Sequence, residues 1–433
     1  MSENTKISKE IYQSYVNILK EELVPAMGCT EPIALAFAAA KAREVLGCVP
    51  DRVEVGASGS IIKNVKSVVV PNTNGLKGIS AAVAAGIVAG KPEAELEVIA
   101  DVSEDEIEQI KEYLDANNII VSCLDDTNSN PLTFDIIITV YKGDDSAVIR
   151  IANYHTNIVL IKKNDEILLK SEVLGESEEG LTGRSIMNMK DICEFVDLVD
   201  IEDVREIIER QIRYNTAIAE EGMKGNYGAN IGKVLLKSEG ESVRVRAKAM
   251  AAAGSDARMS GCEMPVIINS GSGNQGITCC MPVIEYAKEF EVSEEKLYRA
   301  LVLSNLIAIY QKNGIGRLSA YCGAVSAGAA AGAGITYLYG CGYKEIKHAV
   351  VNALAITSGM ICDGAKASCA AKIAMAVDAG ILGFEMYRNG QQFYGGDGIV
   401  AKGVDATIKN VGCLGKDGMK ETNQTIIDMM MRC

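Results

Sequence analysis

Tryptophan is absent from this 433-residue chain, phenylalanine occurs six times, and histidine only twice, at His155 and His348. So few large rings argue against an aromatic core, and the abundance of Gly and Ala favours closely packed helices instead. Two histidines leave no His-rich metal site and few partners for a Ser-His-Asp or Cys-His arrangement. No GxxxxGK[ST] loop occurs and no GxGxxG follows a strand, so the common nucleotide folds are not signalled. Basic charge is in deficit: the formal net charge of −14 repels phosphate backbones, and no basic stripe with interleaved aromatics is present. A nucleic-acid partner is therefore not expected. Residues 5–22 mix charges with apolar residues and lack the continuous apolar segment of a secretory signal, so a reducing, cytoplasmic location is expected.

One uncharged run, residues 318–343, is long enough to be tested as a membrane span. This run is dominated by Gly and Ala, lacks a Leu/Ile/Phe centre and is broken by Gly340 and Gly342. It reads as a buried helix of a soluble core rather than a membrane span.

What is present in quantity is apolar surface and thiol. Hydrophobic residues make up 48% of the chain, enough for a large interior, and the length exceeds what one core usually serves. Helical spacing over 7–25 is followed by a break at Met27-Gly28-Cys29-Thr30-Glu31-Pro32, then by a second helix from Pro32 to about Leu46. Alternating or β-branched runs then predict strands at 52–55, 66–70, 97–100, 134–141, 147–151, 157–161 and 166–169. Helices are predicted at 79–89 and 104–116, the latter opened by Ser103 and Glu106 in capping-box spacing. The last four strands lie too close together for helical crossovers, which predicts a largely antiparallel sheet. From 185 onward the pattern is helical, punctuated by Gly-rich loops at 225–228, 270–276, 312–316, 340–342 and 395–398. The expected fold is α+β: a mostly helical catalytic domain (185–433), a smaller α+β domain (48–184), and N-terminal helices (1–47) packing on the catalytic domain.

Thirteen cysteines in a reducing compartment point to metal binding or chemistry before disulfides. Cys322, Cys362 and Cys369 are spaced C-x39-C-x6-C, which matches neither zinc-ribbon nor bacterial ferredoxin spacing. By spacing alone they are either small buried hydrophobes or a metal site. The polar, turn-forming Asp363, Gly364 and Lys366 between them favour the latter. Three thiolates on a [4Fe–4S] cluster would leave one iron open as a Lewis acid. Cys29 opens a helix, where the dipole favours an anion and lowers a thiol pKa, so it is either a general base or a packing residue. Asn269-Ser270-Gly271-Ser272-Gly273-Asn274-Gln275-Gly276 precedes a helix from about Ile277 and reads as an anion cradle. Gly56-Ala57-Ser58-Gly59-Ser60 is a weaker loop of the same type, and Asn72-Thr73-Asn74-Gly75 is either a binding loop or an ordinary turn.

Gly28-Cys29-Thr30-Glu31-Pro32, the loop Ser270-Gly271-Ser272-Gly273-Asn274-Gln275-Gly276, Tyr321-Cys322-Gly323 and the Cys362/Cys369 pair together resemble the L-cysteine desulfidases, relatives of the iron–sulfur L-serine dehydratases. The resemblance spans nearly the whole chain. It implies a [4Fe–4S] cluster on Cys322, Cys362 and Cys369, Cys29 as proton acceptor, and α,β-elimination of L-cysteine to hydrogen sulfide, pyruvate and ammonia. Ser272, Gly273, Asn274 and Gln275 would hold the substrate carboxylate, and a homo-oligomer is expected. Cys279 and Cys280 read as packing residues, whereas a terminal thiol at Cys433 has the means to reach a vacant iron. Competing readings are an iron–sulfur L-serine dehydratase, a non-enzymatic iron–sulfur redox sensor, and a pyridoxal-phosphate lyase with Lys63 or Lys366 as Schiff base.

Overall fold

The computed structural model describes residues 7–116, 118–125, 132–173, 181–316 and 318–432. Helix α1 (Lys9–Glu22) leads through a short strand β1 (Pro25–Met27) into α2 (Thr30–Leu46). A six-stranded sheet comprises β2 (Arg52–Ala57), β3 (Asn118–Cys123), β4 (Asp135–Lys142), β5 (Asp145–Ala152), β6 (Ile158–Lys163) and β7 (Glu166–Lys170). Its spatial order is β3-β2-β4-β5-β6-β7. Strands β4 to β7 form an antiparallel meander on short turns, as the close spacing predicts. The single parallel pair, β2 with β3, is joined by α3 (Gly59–Val65), α4 (Gly78–Ala89) and α5 (Glu104–Ala116). The fold is α+β.

Two predicted strands are not strands. Residues 66–70 contribute only an isolated bridge from Val69 to Lys77, and 97–100 follow a 3₁₀ turn over Pro92–Glu97. Val68, Val70, Val98 and Ile99 are nonetheless buried, so their apolar character reflects core packing rather than strand pairing. The reverse error is β3, whose Ile119-Ile120-Val121 run pairs with residues 66 positions earlier in the chain. Pairing across such a distance leaves no local mark.

The helical region contains α6 (Met189–Leu198), α7 (Arg205–Lys224), α8 (Ile231–Glu239) and α9 (Val243–Met259), then strand β8 (Pro265–Ile267). It continues with α10 (Gly273–Glu289), α11 (Glu294–Ile315), α12 (Gly323–Leu338), α13 (Tyr343–Thr357), α14 (Ser368–Arg388), α15 (Val404–Cys413) and α16 (Lys420–Arg432). Helix α12 is buried along nearly its whole length among α10, α11, α13 and α14. No helix among the described residues is long and apolar enough to cross a membrane. The Gly/Ala composition explains how α12 fits: a Cβ on Gly332 would lie 2.5 Å from the Gly380 carbonyl oxygen of α14, so the two backbones touch.

The N-terminal helices divide between the regions. α1 packs on α11, while α2 lies on α4 and on β4 and β5. Strands β1 and β8 pair antiparallel, Ala26 opposite Val266, and stitch the N-terminal arm to the segment leading into α10. That ladder positions the site.

Candidate active site

Cys29 follows directly from the β1–β8 ladder and caps the N-terminus of α2. Gly28 turns the chain at φ +56°, and a Cβ there would lie 2.2 Å from Pro71 Cγ, so only glycine fits. Thr30 Oγ1 then donates to the Gly271 carbonyl at 2.8 Å, holding the helix start against the glycine loop.

Glu31 is the hub of the polar contacts. Cys29 Sγ donates to its Oε2 at 3.0 Å and Asn64 Nδ2 donates to Oε1 at 2.9 Å, while Thr30 Oγ1, whose one proton goes to Gly271, lies 3.1 Å from Oε2. Burial acts to raise the Glu31 carboxyl, but the charge of His155 and these donors bring it below its ordinary value. Cys29 goes the other way. Burial first, then the Glu31 charge, push its thiol well above the ordinary value, against a smaller opposing effect of Arg258. The expected dipole-lowered thiolate is thus corrected: about half a charge at a helix end is outweighed by burial and a full carboxylate two residues away.

The loop after β8 holds Ser270 in the left-handed region at φ +50° and places Ser272 as N-cap of α10. Ser272 Oγ accepts from the Gln275 amide at 3.5 Å. Asn269 Nδ2 donates to Asn305 Oδ1 at 3.0 Å, which fastens the loop to α11. Gln275 abuts the start of α12, where a Cβ on Gly323 would lie 2.7 Å from its Cδ. From the end of α9, Arg258 reaches across Gly273 and donates from Nη1 to Asn274 Oδ1 at 3.2 Å.

The three thiols come from two adjoining segments. An isolated bridge joins Tyr321 to Ile361; the Cys322 amide donates to Met360 O at 3.1 Å and the Cys362 amide to Ala320 O at 2.7 Å. Cys322 caps α12, and Cys369 lies in the first turn of α14. Lys372 and Lys366 both pair with Asp363, closing the loop between Cys362 and Cys369. Burial, then the proximity of Cys362, pushes the Cys322 thiol upward, and burial does the same to Cys369.

One cavity of about 110 Å³ brings these parts together: Cys29, Ser272, Asn274, Gln275, Cys322, Cys362 and Cys369 all line it. Gly273 lies beneath Arg258. The N-termini of α2, α10, α12 and α14 all border this space, so four partial positive charges favour anions there. Glu31, Asn64, His155, Arg258 and Lys312 also line it and escaped the sequence reading. Glu31 stood inside a quoted motif and carried a signal; Asn64 and His155 arrive from α3 and the β5–β6 turn with none.

The other candidates among the described residues do not line this cavity. Lys63 donates to Asn423 Oδ1 at 2.6 Å, Lys366 is paired with Asp363, and neither lines the cavity. Cys279 and Cys280 are fully buried within α10. Asn72 Nδ2 donates to the carbonyls of Ile99 and Ala100, so the 72–75 turn is structural, and the 56–60 loop opens α3 away from the cavity. Cys433 lies outside the described residues.

Residues 93–428 match the serine dehydratase alpha chain family. The chain belongs to that family. A UPF0597 protein of Desulfitobacterium hafniense is 62% identical over 420 residues, covering 97% of each chain. UPF0597 proteins of Lachnoclostridium phytofermentans and Treponema denticola are 51% and 47% identical, covering at least 97% of this chain and 99% or more of their own. Serine dehydratase alpha chains are iron–sulfur lyases in general, so this one is a lyase-type enzyme. The donor set suits such a cofactor. Among the described residues no three His, Cys, Asp or Glu side chains converge on one point as a single metal ion requires. Cys322, Cys362 and Cys369 line one cavity, and thiolates are the donors that hold an iron–sulfur cluster.

Proposed function

We propose that this serine dehydratase alpha chain relative is a [4Fe–4S]-dependent L-cysteine desulfidase, a carbon–sulfur lyase converting L-cysteine and water to hydrogen sulfide, pyruvate and ammonia. The observation that carries the reading is the single small cavity lined by Cys29, the 272–275 turn, and Cys322, Cys362 and Cys369. Cys322, Cys362 and Cys369 would hold the cluster, which when bound supplies an iron without a protein ligand, a Lewis acid for the departing sulfur. The first turn of α10 receives the substrate carboxylate. Burial and the Glu31 charge hold the Cys29 proton, so its loss is uphill; Glu31 Oε2, 3.0 Å away, is the nearest acceptor for it, and the thiolate then takes the α-proton of the substrate. The C–H electrons form the Cα–Cβ double bond as the Cβ–S bond breaks and hydrosulfide leaves. Aminoacrylate tautomerises to the imine, which water hydrolyses to pyruvate and ammonia.

A second reading, L-serine dehydration, is favoured by the description of the family that the chain matches. Oxygen-free purification with iron and sulfide quantitation, then sulfide release from cysteine against pyruvate release from serine at matched concentrations, separates the two. Iron-loaded protein with a higher kcat/KM for cysteine is expected. A sharp aldimine band removed by hydroxylamine in place of iron–sulfur absorbance would overturn the cofactor. Cys29→Ser is expected to lower kcat by about 10²–10⁴ at unchanged iron content. Full turnover in that variant removes Cys29 as the base, and an iron-loaded protein that turns over no amino acid returns the redox sensor. A cytoplasmic homo-oligomer belongs to the same reading, and light scattering on the anaerobic protein measures its mass.

A further inference from the structure

Arg258 is a buried cation that lacks a counter-ion. It is 3% exposed, and among the described residues its only hydrogen bond is the one from Nη1 to the neutral Asn274 side chain. Its Nε is buried with no partner. No carboxylate among the described residues lies within ion-pair distance of it. A guanidinium taken out of water without an anion is strongly unfavourable, because it does not shed its proton.

Its surroundings sharpen the point. Arg258 lies in the last turn of α9, whose C-terminal partial charge offsets part of the guanidinium. Across from it stands the first turn of α10: a Cβ on Gly273 would sit 2.3 Å from Arg258 Nε. That N-terminal partial charge is positive and cancels the offset. Gly273 and Asn274 head α10, where backbone amides have no helical carbonyl to bond. A cation and a helix N-terminus placed against each other, both facing one cavity, are stabilised by an anion between them, and Glu31, on the same cavity, is not within ion-pair distance of Arg258.

We infer that Arg258 is the residue that receives the substrate's α-carboxylate, in a planar fork completed by the first-turn amides of α10. The inference rests on the amino-acid substrate proposed above and names the group that selects it. A guanidinium matches a carboxylate with two parallel hydrogen bonds, where an ammonium offers a point charge. Asn274 orients Nη1 and Gly273 packs against Nε, which leaves Nη2, neither fully buried nor hydrogen-bonded among the described residues, for the incoming anion.

The test compares L-cysteine with L-cysteinamide, which lacks the negative charge, on anaerobic cluster-loaded enzyme. The wild type is expected to prefer L-cysteine. Arg258→Gln is expected to raise KM for L-cysteine on the order of 100-fold, to change kcat far less, and to abolish the preference over the amide. Calorimetric binding of 3-mercaptopropionate, read without turnover, should weaken by a similar factor in the same variant. A folded Arg258→Gln enzyme that keeps either the preference or the affinity overturns the inference. If Arg258→Gln fails to fold, Arg258→Lys decides: it keeps the charge but not the fork, so KM should rise roughly tenfold, and unchanged values overturn the inference. Arg258-dependent binding of 3-mercaptopropionate by a wild type that releases no sulfide would sink the desulfidase reading while leaving this assignment standing.

Discussion

Glu31 controls two properties of Cys29 that respond in opposite directions to one substitution. Its charge holds the thiol's proton, and its Oε2 is the nearest acceptor for that proton. Replacing it with Gln removes the charge, so the Cys29 thiol should ionise at lower pH, seen as alkylation that begins at lower pH in cluster-free protein. Turnover should nevertheless fall about 100-fold, because the proton has lost its acceptor. A variant whose alkylation profile and turnover both stay at wild-type values would remove Glu31 from the proton path. At this scale the sequence singled out Cys29, Ser272, Cys322, Cys362 and Cys369, where chemistry and motif coincide, and the structure brings these to one cavity. It was silent on Arg258, which sits at the end of an Ala-rich helix like any surface arginine. Its meaning comes from Gly273, a residue of another helix that lets the guanidinium cross. Asn64 and His155 were equally opaque, since a neighbour in space decides their role.

Among elements, α5 shows local sequence and structure in agreement. Ser103 Oγ accepts from the Glu106 amide at 3.3 Å, and Glu106 Oε2 accepts from the Ser103 amide at 2.9 Å. These hydrogen bonds to Ser103 lower the Glu106 carboxyl, so its stabilising contribution is present above the unfolded-state pKa. It is lost as pH falls through the lowered folded value. Ser103→Ala should cost about 1 kcal/mol in urea denaturation at neutral pH, and a smaller amount in acid, where the reciprocal bond is already lost. Helices with their own caps and periodicity were legible in this way. The β1–β8 ladder and the parallel β2–β3 pair were not, because their partners lie far apart in sequence and their short runs look like loops or core. Residues 66–70 mislead for the converse reason: burial selects the same β-branched side chains that strands do.

Over the whole molecule, the cavity depends on N-terminal and C-terminal halves meeting in register. One clamp on that meeting is Arg184, which pairs with Glu21 at 2.5 Å and with buried Glu22 at 2.8 Å, joining α1 to the segment before α6. Removing the guanidinium leaves buried carboxylate charge, so Arg184→Met should destabilise by about 3–5 kcal/mol, read as a drop in Tm. An unchanged Tm would show that Arg184 is not one of the contacts that hold the halves together. The backbone contact between Gly332 and Gly380 acts at the same scale. Helices α12 and α14 each carry a cluster-type cysteine at the end facing the cavity, so their contact works as a gauge that sets the separation of two sulfurs. Gly380 lies 11 residues along α14 from Cys369, a lever arm of about 16 Å at helical rise. A single methyl there, Gly380→Ala, would meet the Gly328 carbonyl at 2.2 Å and pry the helices apart. If these cysteines hold the proposed cluster, iron retention should then fall in a protein whose thiols are all still present, which would place the tolerance for cofactor assembly in a glycine seam remote from all three.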